Sequence, residues 1–104
     1  MIDATLAALA EPRRRQILIE LGGGELSAGE IAARFDVTRP AISQHLAVLR
    51  QAGLVEERRQ GTSRRYRVRA SGLEPVRTWL DAFWADRLDA LKALAEEPQA
   101  EAQP

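Results

Sequence analysis

The stretch of the chain that decides the fold is residues 26–55, which read LSAGEIAARFDVTRPAISQHLAVLRQAGLV. Ser27 and Glu30 match a capping box, in which each side chain binds the backbone amide of the other residue at the start of a helix. The pattern therefore predicts a short helix over 28–34. A tight connection over 35–37 follows it.

A second helix is predicted to begin directly after this connection. Thr38 is a good N-cap, and Gly53 stands where a helix commonly stops. Between them, Ile42, Leu46 and Leu49 recur at helical spacing and indicate one apolar face. Two short helices joined by three or four residues are typical of a helix-turn-helix.

The flanking segments complete the predicted architecture. On the N-terminal side, residues 3–9 predict a short helix, and Pro12 suits the first turn of a second helix that ends at the glycines of 22–24. On the C-terminal side, residues 54–60 and 64–69 predict a β-hairpin with its tip at 61–63.

Ser71 and Glu74 resemble a second capping box, which predicts the start of a helix of about 25 residues. The fold class expected is therefore mainly α with a small β-hairpin: a winged helix-turn-helix of about five helices and a two-stranded wing. With 104 residues the chain is long enough for one ordinary domain, expected over 1–97. The polar, proline-bracketed residues 98–104 predict a disordered tail.

The net charge of zero hides a strong segregation of charge. Residues 34–69 hold nine arginines against three acids, a net charge of +6, whereas residues 1–33 carry −2 and residues 70–104 carry −4. Clustered arginine is what binding to a phosphate backbone requires. With no cysteine, no basic apolar leader and no apolar run of about 20 residues, a soluble cytoplasmic protein is expected.

The polar side of the helix predicted to begin after Thr38 and the hairpin arginines are the expected DNA-binding surface. A recognition helix places its N-terminal polar side chains against base edges in the major groove, and Gln44 suits adenine there. The hairpin arginines would follow the backbone or enter the minor groove. The predicted contacts are Thr38, Arg39, Ser43, Gln44, His45, Arg50, Arg58, Arg59, Arg64 and Arg65.

Several stretches resemble the ArsR/SmtB family of bacterial repressors: LAEPRRRQIL at 9–18, LSAGEIA at 26–32, residues 37–55, and RRYRV at 64–68. The resemblance covers about residues 4–95. It implies a winged-helix fold, a homodimer built from the first and last helices, and repression through a palindromic operator, with the gene's own promoter as a candidate target. The dimer residues expected are Leu6, Leu9, Val76, Leu80, Phe83, Trp84 and Leu91.

The metal ligands of that family do not carry over. Ser27 and Gly29 stand where many members have a Cys-x-Cys pair, and Asp81, Asp86 and Asp89 on the last helix have no accompanying histidine. The resemblance therefore implies a metal-independent member, and no metal site and no cofactor are predicted. The effector stays unknown.

Three groups of residues allow two interpretations. His45, the single histidine, suits either a DNA contact or a local structural hydrogen bond. The arginines of 13–15 suit either a phosphate contact or a solvated helix face. Trp79, Phe83 and Trp84 suit either the core or dimer interface or, less often, an effector pocket.

Other classes of function are weighed against the repressor. A winged-helix module that binds proteins is one alternative, against which the basic middle segment argues. A repressor that senses metal through carboxylates is another. An enzyme is not expected, because the sequence has no nucleophile elbow, no phosphate-binding loop and no paired histidine.

Overall fold

The computed structural model of the protein describes residues 2–96, and the predicted tail at 98–104 lies outside them. Five helices and one antiparallel hairpin follow each other along the chain, which confirms the predicted fold class. The elements are α1 (Ile2–Leu9), α2 (Pro12–Leu21), α3 (Ala28–Phe35), α4 (Arg39–Gln51), β1 (Val55–Gln60), β2 (Ser63–Val68), a 3₁₀ turn (Ala70–Leu73) and α5 (Glu74–Ala95). Over residues 2–96, the helices are too short or too polar to cross a membrane.

Side chains from the first four helices and the hairpin form one apolar core. The largest fully buried side chains in it are Ile17, Ile31, Ile42, Leu46, Leu49 and Leu54. Three of these six lie on α4, at the spacing predicted for its apolar face. Burial of that face fixes the rotation of α4 about its own axis, so that the opposite side of the helix points outward.

The helix starts that the sequence predicts around α3 and α4 are present. In the capping box, the Glu30 amide donates to Ser27 Oγ at 3.1 Å and the Ser27 amide donates to Glu30 Oε1 at 2.8 Å. The Ala41 amide donates to Thr38 Oγ1 at 3.3 Å, as expected of an N-cap threonine. Caps of this kind satisfy amides that the helix itself leaves unpaired.

The hairpin forms the wing and is attached to the helices along one edge. Val55 pairs with Val68 at its base and Gln60 with Ser63 at its tip. On the free edge of β2, the Leu26 and Tyr66 backbones exchange two hydrogen bonds, of 3.1 and 2.9 Å. The loop that precedes α3 therefore acts as a short third strand, which fixes the wing against the helix-turn-helix.

The predicted capping box at Ser71 is wrong. The Glu74 amide donates to the backbone carbonyl of Ser71, so the chain makes a 3₁₀ turn there, and no side chain caps α5. Because its amide is already bonded to that carbonyl, Glu74 has no donor left for the Ser71 hydroxyl. The long helix itself is confirmed, although it begins at Glu74 and has 22 residues.

The 3₁₀ turn brings the start of α5 against the end of α4. A β-carbon built on Gly72 would collide with the backbone carbonyl of Gly53, and would lie 3.1 Å from the Leu54 α-carbon. Backbone atoms cannot rotate away as a flexible side chain can. The close approach therefore requires glycine at position 72.

We predict that Gly72→Ala destabilises the fold, because the added methyl group forces the backbone at Gly53 to move. Overpacking of this kind costs about 1–3 kcal/mol or more. Chemical denaturation followed by circular dichroism measures the change in the free energy of unfolding.

Gly29→Ala is the matched control for this substitution. The nearest atom to a β-carbon on Gly29 is Ser27 Oγ, at 3.9 Å, which is an ordinary contact. Alanine also suits a helix better than glycine, by up to about 1 kcal/mol. Equal stability of the two variants would contradict the close approach at Gly72.

Candidate nucleic-acid interface

The outward side of α4 carries the polar side chains that the sequence predicts as base contacts. Thr38, Arg39, Ser43 and Gln44 are all exposed. They lie in the first half of the helix and at its N-cap, opposite the buried leucine and isoleucine face. This is the part of a recognition helix that reaches base edges in a major groove.

The wing and α4 enclose a polar groove next to these side chains. The groove has a volume of about 290 Å³ and is lined by Ala28, Arg39, Ser43, Thr62, Ser63, Arg64 and Tyr66. It joins the N-terminal halves of α3 and α4 to the tip of the hairpin. A single strip of surface thus combines the helix face and the wing, as contact with adjacent grooves of one duplex requires.

The hairpin pleat divides the four predicted wing arginines into two pairs. Arg59 pairs across the strands with Arg64, and Arg58 pairs with Arg65. Since successive residues of a strand point to opposite faces, Arg59 and Arg64 share the face of the buried Tyr66, whereas Arg58 and Arg65 lie on the other face. Only the Arg59 and Arg64 pair lies on the side of α4.

One carboxylate connects the end of α4 to the wing. Glu57 Oε1 accepts from Arg50 Nη1 at 2.8 Å, and Glu57 Oε2 lies 3.2 Å from Arg64 Nε. The two arginines come from different elements, and the Glu57 side chain is 20% exposed. The bridge therefore holds Arg50 and Arg64, both predicted DNA contacts, in fixed relative positions.

On the other face of the wing, a second carboxylate holds Arg58. Glu25 receives two hydrogen bonds from the Arg58 guanidinium, at 3.0 and 2.6 Å. The pair is bidentate, which is the strongest arrangement for arginine and a carboxylate. The hydrogen bond from Arg58 holds the pKa of the Glu25 carboxyl below its ordinary value and raises the pKa of Arg58.

Arg65 is held in the same region by α3 and the loop before it. Its guanidinium donates to Glu30 Oε1 and to the backbone carbonyl of Glu25, both at 3.1 Å. The backbone hydrogen bond from Ser27, followed by the charge of Arg65, lowers the pKa of the Glu30 carboxyl. Of the predicted arginine contacts, Arg39 and Arg59 have no carboxylate partner within residues 2–96.

His45 is half-buried and faces α2 rather than the open surface. Its Nδ1 atom lies 3.4 Å from Arg14 Nη1. A guanidinium can only donate, so Nδ1 is the acceptor. The geometry favours the local hydrogen bond of the two interpretations, and a DNA contact by His45 stays a prediction.

The three arginines at the start of α2 are all engaged within the protein. Arg14 donates to the carbonyls of Ala8 and Ala7, at 2.7 and 3.2 Å, and Arg15 donates to the Leu9 carbonyl at 2.7 Å. Arg13 lies over the Phe35 ring, 4.9 Å from its centre. Arg14 thus links the end of α1 to the recognition helix, a role that no sequence motif indicates.

The predicted dimer residues lie on α1 and α5 with unequal exposure. Leu6, Leu80, Trp84 and Leu91 are exposed, Val76 and Phe83 are half-buried, and Leu9 packs against the core. Trp79 stacks on Phe83 with ring centres 5.4 Å apart. No residue of α5 is buried, although large apolar side chains recur along one side of the helix, where Arg87 also lies over the Phe83 ring, 4.8 Å from its centre.

The positions that correspond to the family's cysteine ligands hold helix-start residues here. The Ser27 hydroxyl is occupied by the capping box, and Gly29 lies in the first turn of α3. Among residues 2–96, no three His, Cys, Asp or Glu side chains are grouped as metal ligands would be.

Comparison with known proteins identifies similar regulators. Residues 11–57 match the model of a family described as "Bacterial regulatory protein, arsR family". The HTH-type transcriptional regulator Rv2034 of Mycobacterium tuberculosis is 44% identical over 90% of this chain and 88% of its own length. The transcriptional repressor SdpR of Bacillus subtilis is 37% identical over 73% of this chain and 84% of its own.

A solved structure agrees with these sequence matches. The homodimeric winged helix-turn-helix DNA-binding domain Mb0332 of Mycobacterium bovis, described as a possible ArsR-family regulator, superposes with a TM-score of 0.67. The two share 31% identity over 84% of this chain and 81% of that one.

We predict that Arg14→Lys lowers the stability of the protein. A lysine ammonium cannot reproduce the planar fork that reaches two carbonyls and the His45 ring together. The loss of charged hydrogen bonds that are partly open to water corresponds to about 1–2 kcal/mol. Thermal unfolding of the purified protein measures it.

Arg34→Lys provides the comparison for this prediction. Arg34 forms an exposed ion pair with Glu20, at 2.7 Å, that lysine can replace. Its unfolding temperature should stay close to that of the wild type. A decrease of similar size in both variants would show that the Arg14 network adds nothing specific.

Proposed function

Since the chain belongs to the arsR family of bacterial regulatory proteins, we propose that it is a homodimeric repressor that binds a palindromic operator. It is a transcriptional regulator with a winged helix-turn-helix DNA-binding domain, not an enzyme. The observation that carries the proposal is the strip in which the polar side of α4 meets the wing around one groove.

In the proposed complex, α4 lies in the major groove. Gln44 and Ser43 contact base edges, and Thr38 together with the helix N-terminus holds a phosphate. Arg39 and Arg59, which have no carboxylate partner among the described residues, bind guanine or the backbone. Arg50 and Arg64 contact DNA from the Glu57 bridge, on the side of α4. Arg58 and Arg65 are weaker candidates because they lie on the other face of the wing, and His45 is weaker because it is half-buried against Arg14.

A homodimer would cover the apolar side of α5. The exposed large side chains there are Trp79, Leu80, Trp84, Leu88, Leu91 and Leu94, most of them more than half exposed. A contiguous apolar surface of this kind is typical of an interface and unusual on a monomer. The similar Mycobacterium bovis domain is named as homodimeric, which supports the same assembly here.

Repression would follow from occupation of a promoter by the dimer. Two recognition helices related by a two-fold axis read half-sites about one helical turn apart, which gives a palindromic operator. The name of the Bacillus subtilis relative supports a repressor. The Ser27 capping box supports the further proposal that release does not depend on the family's cysteine metal site.

We predict that Gln44→Ala and Arg59→Ala weaken DNA binding in different ways. Loss of a base contact costs about 1–3 kcal/mol at one base pair and relaxes specificity there. Loss of a phosphate contact weakens binding to all sequences and reduces the slope of log affinity against log salt by about 1. Fluorescence anisotropy across a salt series measures both effects.

The duplexes for this titration are the DNA upstream of the protein's own gene and a scrambled sequence. Tight binding to the upstream DNA, but not to the scrambled sequence, supports an autoregulatory operator. If the protein binds the two duplexes equally, the operator lies elsewhere. A duplex selected from a random pool then replaces the upstream DNA. Failure to bind any duplex at low salt would overturn the repressor and favour the protein-binding module.

We predict that Leu91→Glu converts the dimer into monomers and weakens operator binding. Leu91 is 63% exposed in one protomer, so a charge there does not disturb the protomer's own core. It would, however, be buried without a partner in the proposed interface. Analytical ultracentrifugation measures the assembly, and anisotropy measures the binding.

Ala93→Glu adds the same charge two residues later, on the opposite side of α5. This variant should remain dimeric and bind DNA as the wild type does. Dimers of the same strength in both variants would mean that the apolar side of α5 is not the interface.

A further inference from the structure

Glu25 is the point at which the loop before α3 meets the outer face of the wing. Its carboxylate binds Arg58 of β1 through both oxygens, at 3.0 and 2.6 Å, and lies 3.7 Å from Arg67 Nη1 of β2. Its backbone carbonyl accepts from Arg65 at 3.1 Å. One residue outside the hairpin therefore contacts both of its strands.

The next residue continues the attachment through the backbone. Leu26 exchanges two hydrogen bonds with Tyr66, and both side chains are buried in the core, each 8% exposed. The bridge fixes β2 near the middle of its length, on the edge away from β1. On the outer face, Glu30 also binds Arg65 of β2, but the contact from the helix-turn-helix to β1 on that face is the Glu25 pair with Arg58. Loss of this pair would leave β1 attached through its buried base and through the Glu57 bridge on the other face, and would allow the hairpin to tilt.

The charge of Glu25 creates a conflict between two expectations. Removal of an acid beside three arginines makes the wing more positive, and counterion release then predicts tighter DNA binding with a steeper salt dependence. If Glu25 instead holds the wing in the orientation that DNA requires, its removal weakens binding. The bonding pattern is directional rather than diffuse, since the Arg58 pair is bidentate and the Arg65 contact is made to a carbonyl.

We infer that Glu25 is a positioning residue for DNA binding: it sets the tilt of the wing, and thereby places Arg59 and Arg64 against the DNA, although it touches no DNA itself. The inference rests on the proposed function, because it assigns the wing to the duplex. Arg58 then attaches the wing to the loop before α3 more than it contacts a phosphate. The geometry of the Glu25 contacts favours DNA binding, whereas the negative charge of Glu25 disfavours it.

The test compares Glu25→Gln with Glu20→Gln in the full chain, by anisotropy on the wild-type operator duplex across a salt series. Both variants remove one negative charge, but Glu20 pairs with Arg34 of α3 and not with the wing. We expect Glu25→Gln to bind at least about fivefold more weakly than Glu20→Gln, with a shallower salt slope. Binding by Glu25→Gln that equals or exceeds that of Glu20→Gln, with an equal or steeper slope, would overturn the inference.

A second readout separates wing placement from general loss of structure. In the wild type, Arg59→Ala weakens binding; in the Glu25→Gln background it should have little further effect, because the wing has already left the DNA. Additive effects of the two substitutions would contradict the inference. If Glu25→Gln does not fold, Arg58→Gln breaks the same pair from the wing side and is combined with Arg59→Ala in the same way.

The wild-type titration distinguishes this inference from the proposed function. Wild-type protein that binds no duplex would overturn the repressor, and with it any role of the wing. Wild-type protein that binds its operator, together with a Glu25→Gln variant indistinguishable from Glu20→Gln, would leave the repressor in place and overturn the role of Glu25 alone.

Discussion

The complete burial of one side of α4 is the constraint on which the proposed DNA-binding surface depends. Ile42, Leu46 and Leu49 are each at most 1% exposed. Because a helix has 3.6 residues per turn, only its opposite side is then open to solvent. Their burial fixes the phase of the helix, and Arg39, Ser43 and Gln44 face outward as a result. The core and the recognition surface are thus two sides of one element, so a change that loosens the first also displaces the second.

The net charge of a sequence segment describes the charge of the wing less well than the ion pairs of the folded structure do. The basic segment 34–69 has a net charge of +6, but Glu25 and Glu30 from the acidic first segment fold against it. They neutralise arginines on the outer face, while Glu57 does so on the face toward α4. The positive charge that remains uncompensated among the described residues is therefore concentrated at fewer positions than the arginine count indicates.

Signals confined to a few neighbouring residues were readable from the sequence, and those that depend on tertiary packing were not. The caps at Ser27 and Thr38, the apolar face of α4 and the hairpin tip are local, and all are present. At Ser71 the local pattern failed, because the chain makes a 3₁₀ turn there and the Glu74 amide is bonded to the Ser71 carbonyl, at the place where Gly72 packs against Gly53. The partners of Glu25, 33 to 42 residues away in the sequence, are set by how the wing folds back.

The same close approach connects the two surfaces that a dimeric repressor needs. Gly72 lies just before α5, the proposed interface helix, and Gly53 lies just after α4, the proposed recognition helix. Their close approach therefore links α5 to the end of α4 through backbone atoms, which cannot rotate away as a flexible side chain can. The position of α4 in the proposed dimer therefore depends on this contact as well as on the pairing of α5.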